Sequence, residues 1–148
     1  GTNHNLAKKL ESIARYSKIP LRIMGFVDNI AQLMEISDLL LTKAGGVTMF
    51  EALAKKLPIL IYKPLPGHER NNTRFLVKHK AAMLTKSKEQ VVETIIKCIN
   101  DPSMLNSIKE PMDRISKPFA ARDAANIVIE MAESYRMSRN QRRIYTVS

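Results

Sequence analysis

The chain has 148 residues, 45% of them hydrophobic and 26% charged, which is enough for one globular domain with its own core and excludes a disordered chain. Its single cysteine, Cys98, excludes a disulfide framework and a cysteine-based metal site, and favours a reducing, cytoplasmic setting. The formal net charge of +10 favours anionic partners: nucleotides, nucleic acids or acidic membrane surfaces.

The first part of the chain alternates between helical and strand-like patterns. Apolar residues at helical spacing predict a helix over residues 5–17, and residues 21–27 form a short apolar run typical of a strand. Residues 28–37 begin with good helix N-caps and predict a second helix. The apolar run at residues 38–43 predicts a strand that is buried on both faces.

The rest of the chain continues this alternation. We predict strands at residues 58–63 and 81–85 and helices at residues 46–56, 69–80, 88–100, 102–115 and 119–136. In the helix at 46–56, the core-facing stripe is predicted to be Phe50, Leu53, Ala54 and Leu57. Short apolar strands between helices predict an α/β fold: a Rossmann-like parallel sheet with helices on both faces.

A glycine pair follows the strand at residues 38–43. Ligands of parallel sheets bind at the carboxyl ends of the strands, where Gly45 and Gly46 open the next helix. Free N–H groups at a helix start attract phosphate, and glycine allows a sharp turn and the close approach of an anion. Thr48 adds a hydroxyl donor. The alternative is a tight turn without a ligand, since the P-loop and GxGxxG patterns are absent.

One acidic residue, Glu51, lies on the same side of this helix as Val47 and Thr48. Its carboxylate can accept two hydrogen bonds from a vicinal diol, which a nucleotide ribose presents beside its diphosphate. The alternative is a solvated acid that the helix dipole favours near the N-terminus.

A polar segment follows the strand at residues 58–63. It contains the hydrogen-bonding side chains His68, Glu69, Arg70, Asn71 and Asn72. Carboxylates and amides on a loop before a helix suit the hydroxyl groups of a sugar. In the alternative interpretation, Glu69 begins a helix and Arg70 is a solvated cation.

The joint pattern GFVDN…SDLLLTKAGGVTMFEALAKKLP…PGHERNN resembles the donor-nucleotide half of family 28 glycosyltransferases of GT-B fold. It is most similar to bacterial diacylglycerol glucosyltransferases and plant-type monogalactosyldiacylglycerol synthases. The similarity is continuous over residues 21–72 and looser from residue 1 to about residue 132. The resemblance implies a UDP-sugar donor domain at residues 1–134, with its first strand truncated, and a basic tail at residues 135–148.

The resemblance also implies roles for individual residues. Backbone groups of Phe26 and Val27 would contact uracil. The main-chain N–H groups of Gly45, Gly46, Val47 and Thr48 would hold the diphosphate, and Glu51 would bind the ribose. Glu69, Asn71 and Asn72 would contact the donor sugar and phosphate. His68 stands where the family more often has glutamine, and protonation of its imidazole would make donor binding pH-dependent. Lys43 is either an electrostatic aid to phosphate binding or a solvated lysine.

Further expectations concern the reaction and its partners. The donor would be UDP-glucose or UDP-galactose and the acceptor a diacylglycerol-type lipid. No Asp-x-Asp motif occurs, so we expect no metal and no cofactor. The resemblance implies inversion at the anomeric carbon. The resemblance implies that the catalytic base belongs to an amino-terminal acceptor domain that is missing here, and none of His4, His68 and His79 is a convincing base within this chain. Alone, this domain would bind donor weakly and transfer nothing.

The basic and apolar residues of the tail, from Tyr135 through Arg136 to Tyr145, suit an anionic membrane on the inner face of the cell. The alternative is a solvated tail. Other functions remain open: a lipid I N-acetylglucosaminyltransferase of peptidoglycan synthesis, or a non-catalytic UDP-sugar-binding module. Nucleic-acid binding is disfavoured, since only 5% of residues are aromatic and no nucleic-acid-binding motif occurs.

Overall fold

Three short parallel strands form the centre of the fold in the computed structural model, which describes residues 1–144 and the side chains of residues 1–137. The strands are β1 (Leu40–Thr42), β2 (Ile59–Tyr62) and β3 (Met83–Thr85), in the order β1-β2-β3. The helices are α1 (His4–Ala14), α2 (Ile30–Glu35), α3 (Gly46–Ala54), α4 (His68–Lys78), α5 (Lys88–Asn100), α6 (Ser103–Ile115) and α7 (Ala120–Ile144).

The central strand, β2, is covered on both faces. Ile59 and Ile61 belong to the main hydrophobic cluster, whereas Leu60 points to the opposite face and is also fully buried. A strand buried in this way needs helices above and below the sheet. The predicted parallel sheet with helices on both faces is therefore confirmed.

Helices α3 and α4 connect consecutive parallel strands and contact each other on one face of the sheet. From α3 the cluster receives Met49, Ala52 and Leu53, and from α4 it receives Leu76. The predicted stripe on α3 is half wrong, because Phe50 is 55% exposed and Ala54 is exposed as well. The buried side of α3 is rotated by about one residue, so that Met49 faces the sheet in place of Phe50.

The prediction of a strand at residues 21–27 is wrong. The structure assigns no strand there, and Leu21, Met24 and Phe26 are exposed. An extended apolar run becomes a strand only when a neighbouring strand pairs with its backbone groups, and no described strand lies beside this run. The run at residues 38–43 is a strand only at β1, and its expected burial on both faces is also wrong. Leu41 is 47% exposed because β1 is an edge of the described sheet.

The last helix, α7, crosses the predicted boundary between residues 134 and 135 without a break. Its described side chains are all exposed, including those of Tyr135 and Arg136. The remaining basic and apolar side chains of the predicted tail lie outside the described residues: Arg139, Arg142, Arg143, Ile144 and Tyr145. Among the helices of the described range, none has the length and apolar character that crossing a bilayer requires.

Two helices end on a lysine in the left-handed conformation. Lys56 after α3 has a φ of 52° and Lys80 after α4 has a φ of 56°. Beyond each lysine, the N–H of the next residue reaches back into the helix: Leu57 N–H donates to Ala52 O and Ala81 N–H to Leu76 O, both at 2.9 Å. This is the Schellman arrangement, in which glycine usually occupies the left-handed position.

Lys80→Gly is expected to stabilise the fold, because glycine adopts a positive φ without the steric cost that a Cβ brings. After allowance for the greater freedom of glycine in the unfolded chain, the gain is about 0.5–1 kcal/mol. Lys78→Gly removes the same charge from the last helical turn of α4, where glycine costs about 1 kcal/mol. Urea denaturation of both variants measures this contrast. Equal midpoints for the two variants would show that Lys80 is not strained.

Candidate functional site

The turn from β1 into α3 contains a strained residue that the sequence pattern did not indicate. Ala44 has a φ of 44° and is fully buried, whereas Gly45 has an ordinary φ of −62°. The left-handed residue of this turn is therefore Ala44 and neither glycine, which corrects the expectation that the glycines provide its unusual backbone conformation. An L-residue in this region of φ costs about 1–2 kcal/mol.

The glycine pair keeps the space over the helix start open. A methyl group on Gly45 would meet no atom within 4 Å, and one on Gly46 would lie 3.9 Å from Nδ2 of Asn72. Gly45 is the N-cap of α3 and supplies no side-chain cap, and the first N–H bonded inside the turn is that of Met49, to Gly45 O at 2.9 Å. The preceding N–H groups are thus available to an anion, supported by the helix dipole.

Asn72 joins this turn to the start of α4. Its Nδ2 donates to the carbonyl oxygen of Ala44 at 3.0 Å in a partly buried contact. This hydrogen bond brings two of the predicted segments together, the glycine turn and the polar segment after β2. Asn71, one position earlier on α4, is exposed to solvent.

Glu69 organises the loop before α4. Its Oε2 accepts the backbone N–H of Leu65 at 2.6 Å, and Gly67 takes a φ of 87° as the N-cap of the helix. The positive φ explains why glycine is needed at position 67. One of the two carboxylate oxygens of Glu69 is thus bonded to its own loop. His68 follows as the exposed first residue of α4.

Glu51 faces an open groove beside the helix start. Gly46, Val47 and Glu51 line one wall of this groove, which has a volume of about 650 Å³. The other wall comes from the segment between α6 and α7, where Lys117 lies. The sequence pattern did not indicate Lys117, because only the packing of α6 against α3 brings this distant segment to the turn. Of the side predicted from helical spacing, Val47 and Glu51 line the groove, together with Gly46, whereas Thr48 does not.

Other predicted residues are less well connected. Thr48 is half-buried on α3 and Lys43 is exposed beside the turn. Phe26 is 79% exposed and Val27 is half-buried, on the loop before α2. Among the described residues, no hydrogen bond joins Phe26 or Val27 to the glycine turn.

The described side chains offer no cluster of three or more histidine, cysteine, aspartate or glutamate residues with the geometry of a metal site. His79 caps the far end of α4, where its Nδ1 lies 2.8 Å from Phe75 O. His4 is the first residue of α1, near the N-terminus. The turn itself presents a helix start with free N–H groups, flanked by the carboxylate of Glu51 and the amide of Asn72.

Comparison with known proteins gives consistent results. Residues 1–128 match the model of the glycosyltransferase family 28 C-terminal domain. Two similar curated proteins are processive diacylglycerol beta-glucosyltransferases, from Bacillus pumilus (28% identity, 90% of this chain and 35% of the relative) and Bacillus subtilis (28% identity, 96% and 37%). A third, from Bacillus cereus strain G9842, is 32% identical over 80% of this chain and 30% of its own length.

A solved structure shares the fold. The crystal structure of MurG from Acinetobacter baumannii superimposes with a TM-score of 0.71 at 16% identity, over 86% of this chain and 38% of the MurG chain. At this identity the likeness concerns the fold alone, a Rossmann-like unit of a GT-B enzyme. The chain spans about a third of the length of the curated relatives that it matches.

Asn72→Ala is expected to lower the free energy of unfolding by about 1–2 kcal/mol, because the partly buried carbonyl of Ala44 loses its donor while Ala44 stays strained. Asn71→Ala is the matched control: it removes the same amide from the same helix at an exposed position, and we expect a change within about 0.5 kcal/mol. Urea denaturation with unchanged slopes measures both values. Equal destabilisation by the two variants would contradict a structural role for the Asn72–Ala44 hydrogen bond.

Proposed function

Because the chain belongs to the C-terminal domains of glycosyltransferase family 28, we propose that it is the donor-binding part of a hexosyltransferase. The donor is a UDP-sugar, UDP-glucose or UDP-galactose, and the acceptor is a diacylglycerol-type lipid. The names of the curated relatives support this lipid acceptor over lipid I. The likeness to MurG concerns the fold and does not favour the peptidoglycan reaction.

One observation supports donor binding more than any other: the uncapped start of α3 at the carboxyl end of β1, left open by Gly45 and Gly46. A donor diphosphate placed there accepts hydrogen bonds from the main-chain N–H groups of Gly46, Val47 and Thr48. The net charge of +10 attracts the same anion over a longer range.

The remaining predicted residues complete the proposed donor site. Glu51, on the groove beside Gly46, binds the ribose hydroxyls, and backbone groups of Phe26 and Val27 contact uracil. On the α4 side the donor sugar and phosphate are contacted by His68, Glu69, Asn71 and Asn72. Asn72 also holds the turn through Ala44, so its amide positions the diphosphate site as well as lining it.

In the proposed reaction, negative charge develops on the departing diphosphate as the hexose leaves. The N–H groups and dipole at the start of α3 stabilise this charge without a divalent ion. Transfer inverts the anomeric carbon, and the base that accepts the acceptor proton lies outside this domain. By itself, the domain binds the UDP-sugar weakly and transfers nothing.

The proposed place of action is the cytoplasmic surface of the cell membrane, where a lipid acceptor is accessible. The full enzyme is peripheral there, attracted to anionic lipid by its basic surface. Residues 135–148 add to this attraction in the proposal, through Arg136 and the arginines that follow it.

Two variants separate the ribose contact from the diphosphate contact. Glu51→Ala is expected to weaken UDP binding about tenfold to a hundredfold, because the ribose loses hydrogen bonds to a charged acceptor, and to leave pyrophosphate binding unchanged. Gly46→Ala is expected to weaken both ligands to a similar degree, because its methyl group covers the N–H groups. Isothermal titration calorimetry with UDP and pyrophosphate measures each effect.

We expect Gly46→Ala to fold, so that weaker ligand binding by this variant would not result from unfolding. The Cβ of Gly46→Ala meets no atom closer than 3.9 Å, and alanine favours the helical conformation over glycine. Thermal unfolding of each variant is the control. Absence of UDP binding by the unaltered chain would overturn the proposed function, and unchanged UDP binding in Glu51→Ala would remove only its ribose role.

Donor binding is expected to be independent of divalent metal. UDP affinity measured in EDTA should equal that measured with Mg²⁺ or Mn²⁺ within about twofold, because the helix start supplies the positive potential. A dissociation constant that falls tenfold or more on adding either ion would contradict the metal-independent mechanism and leave the identity of the donor intact.

A further inference from the structure

A groove of about 420 Å³ lies on the side of α4 away from the glycine turn. Val77 and Leu84 form its apolar part, and Leu84 is 43% exposed at the edge strand β3. The groove falls within the roughly 300–1,000 Å³ that is usual for small-molecule sites. When the groove is empty, its apolar surface stays exposed to water. Its size suits one hydrocarbon chain.

Three cations line the same groove. Arg70, Arg74 and Lys78 follow each other at intervals of four residues and therefore form one row along α4. No aspartate or glutamate lines the groove, and no ion pair recorded among the described side chains includes any of the three. The row is thus a concentrated positive charge without a partner within the described structure.

This row lowers the intrinsic stability of α4. Like charges four residues apart repel each other by about 0.2–0.5 kcal/mol per pair. Arg70 also lies in the first turn, where the helix dipole disfavours a cation. A row of like charges that no ion pair among the described side chains neutralises conflicts with local helix stability, as is typical of functional surfaces.

We propose that this groove binds an anionic phospholipid of the membrane surface. The lipid phosphate lies against the guanidinium and ammonium groups of Arg70, Arg74 and Lys78, and one acyl chain lies along Val77 and Leu84. The apolar floor favours a lipid over a nucleic acid, which would need stacking or base-edge contacts. The choice of a lipid over an acidic protein segment rests on the proposed function, in which the acceptor itself is a membrane lipid.

The charge contribution is tested with Arg74→Gln/Lys78→Gln in the full chain. Its partitioning onto vesicles of phosphatidylcholine and phosphatidylglycerol should weaken about thirtyfold relative to the unaltered chain. Lys97→Gln/Lys109→Gln is the matched control, since it removes two exposed lysines from other helices, and its partitioning should weaken less than threefold. Vesicles of phosphatidylcholine alone should bind neither the unaltered chain nor the variants appreciably.

The apolar contribution is tested with a fluorescent label. The thiol of Cys98 is buried, and this burial, with a smaller effect from Asp101, raises its pKa, so a label reacts at an introduced cysteine instead. A polarity-sensitive dye at Leu84→Cys should shift to the blue on phosphatidylglycerol vesicles, whereas the same dye at Val92→Cys, exposed on α5, should not.

The outcomes distinguish this proposal from the proposed function. Equal weakening by the two double variants, or no dye shift specific to position 84, would overturn the lipid groove and leave an acidic protein segment as the candidate occupant. UDP titration of Arg74→Gln/Lys78→Gln should match that of the unaltered chain. If the unaltered chain bound UDP normally but did not bind vesicles, only the lipid groove would be contradicted. If the unaltered chain bound vesicles normally but failed to bind UDP, the proposed function would be overturned, and the lipid groove would rest on the vesicle and dye measurements alone.

Discussion

The hydrogen bond from Asn72 to the carbonyl of Ala44 is the contact on which the candidate site depends. Ala44 is held in a left-handed conformation that costs about 1–2 kcal/mol, and its buried methyl group recovers about 0.8 kcal/mol of this. The hydrogen bond from α4 offsets much of the remainder, at about 1 kcal/mol. Because Ala44 sets the direction in which the chain enters α3, this balance determines where the first N–H groups of that helix point.

The start of α3 has no side-chain cap, as is also true of α2, α4 and α6. Glycine at the N-cap costs only a few tenths of a kcal/mol relative to serine or aspartate. An anion bound to the free N–H groups would supply the missing cap and interact favourably with the dipole. If the donor diphosphate binds there as proposed, its binding would cap the helix and would therefore be coupled to the stability of this turn.

The sequence predicted the alternation of helices and strands well, because β2 and the helices around it follow simple periodic patterns. The prediction from sequence failed where a strand needs a neighbouring strand, or where a residue adopts a backbone conformation that is unusual for its type. Residues 21–27 have the composition of a strand but no strand beside them in the described sheet. Lys56 and Lys80 end their helices in a conformation that glycine usually adopts, so no glycine marked those ends. The gathering of Val47 and Glu51 on one side of α3 was predictable from helical spacing, whereas the arrival of Lys117 depended on packing between distant helices.

Helix α4 has two functional sides in this interpretation, and its rigidity connects them. Asn72 faces the glycine turn, while Arg74 and Lys78 face the groove beside β3. Thr73 and Leu76 are buried between these sides and anchor the helix to the sheet. A helix anchored in this way does not bend between two sites one or two turns apart, so a lipid held in the groove and a donor held at the turn would keep a fixed separation. The buried contacts of α4 offset the cost of its like-charge row, and under the proposed lipid site this row would orient the donor turn relative to the lipid surface.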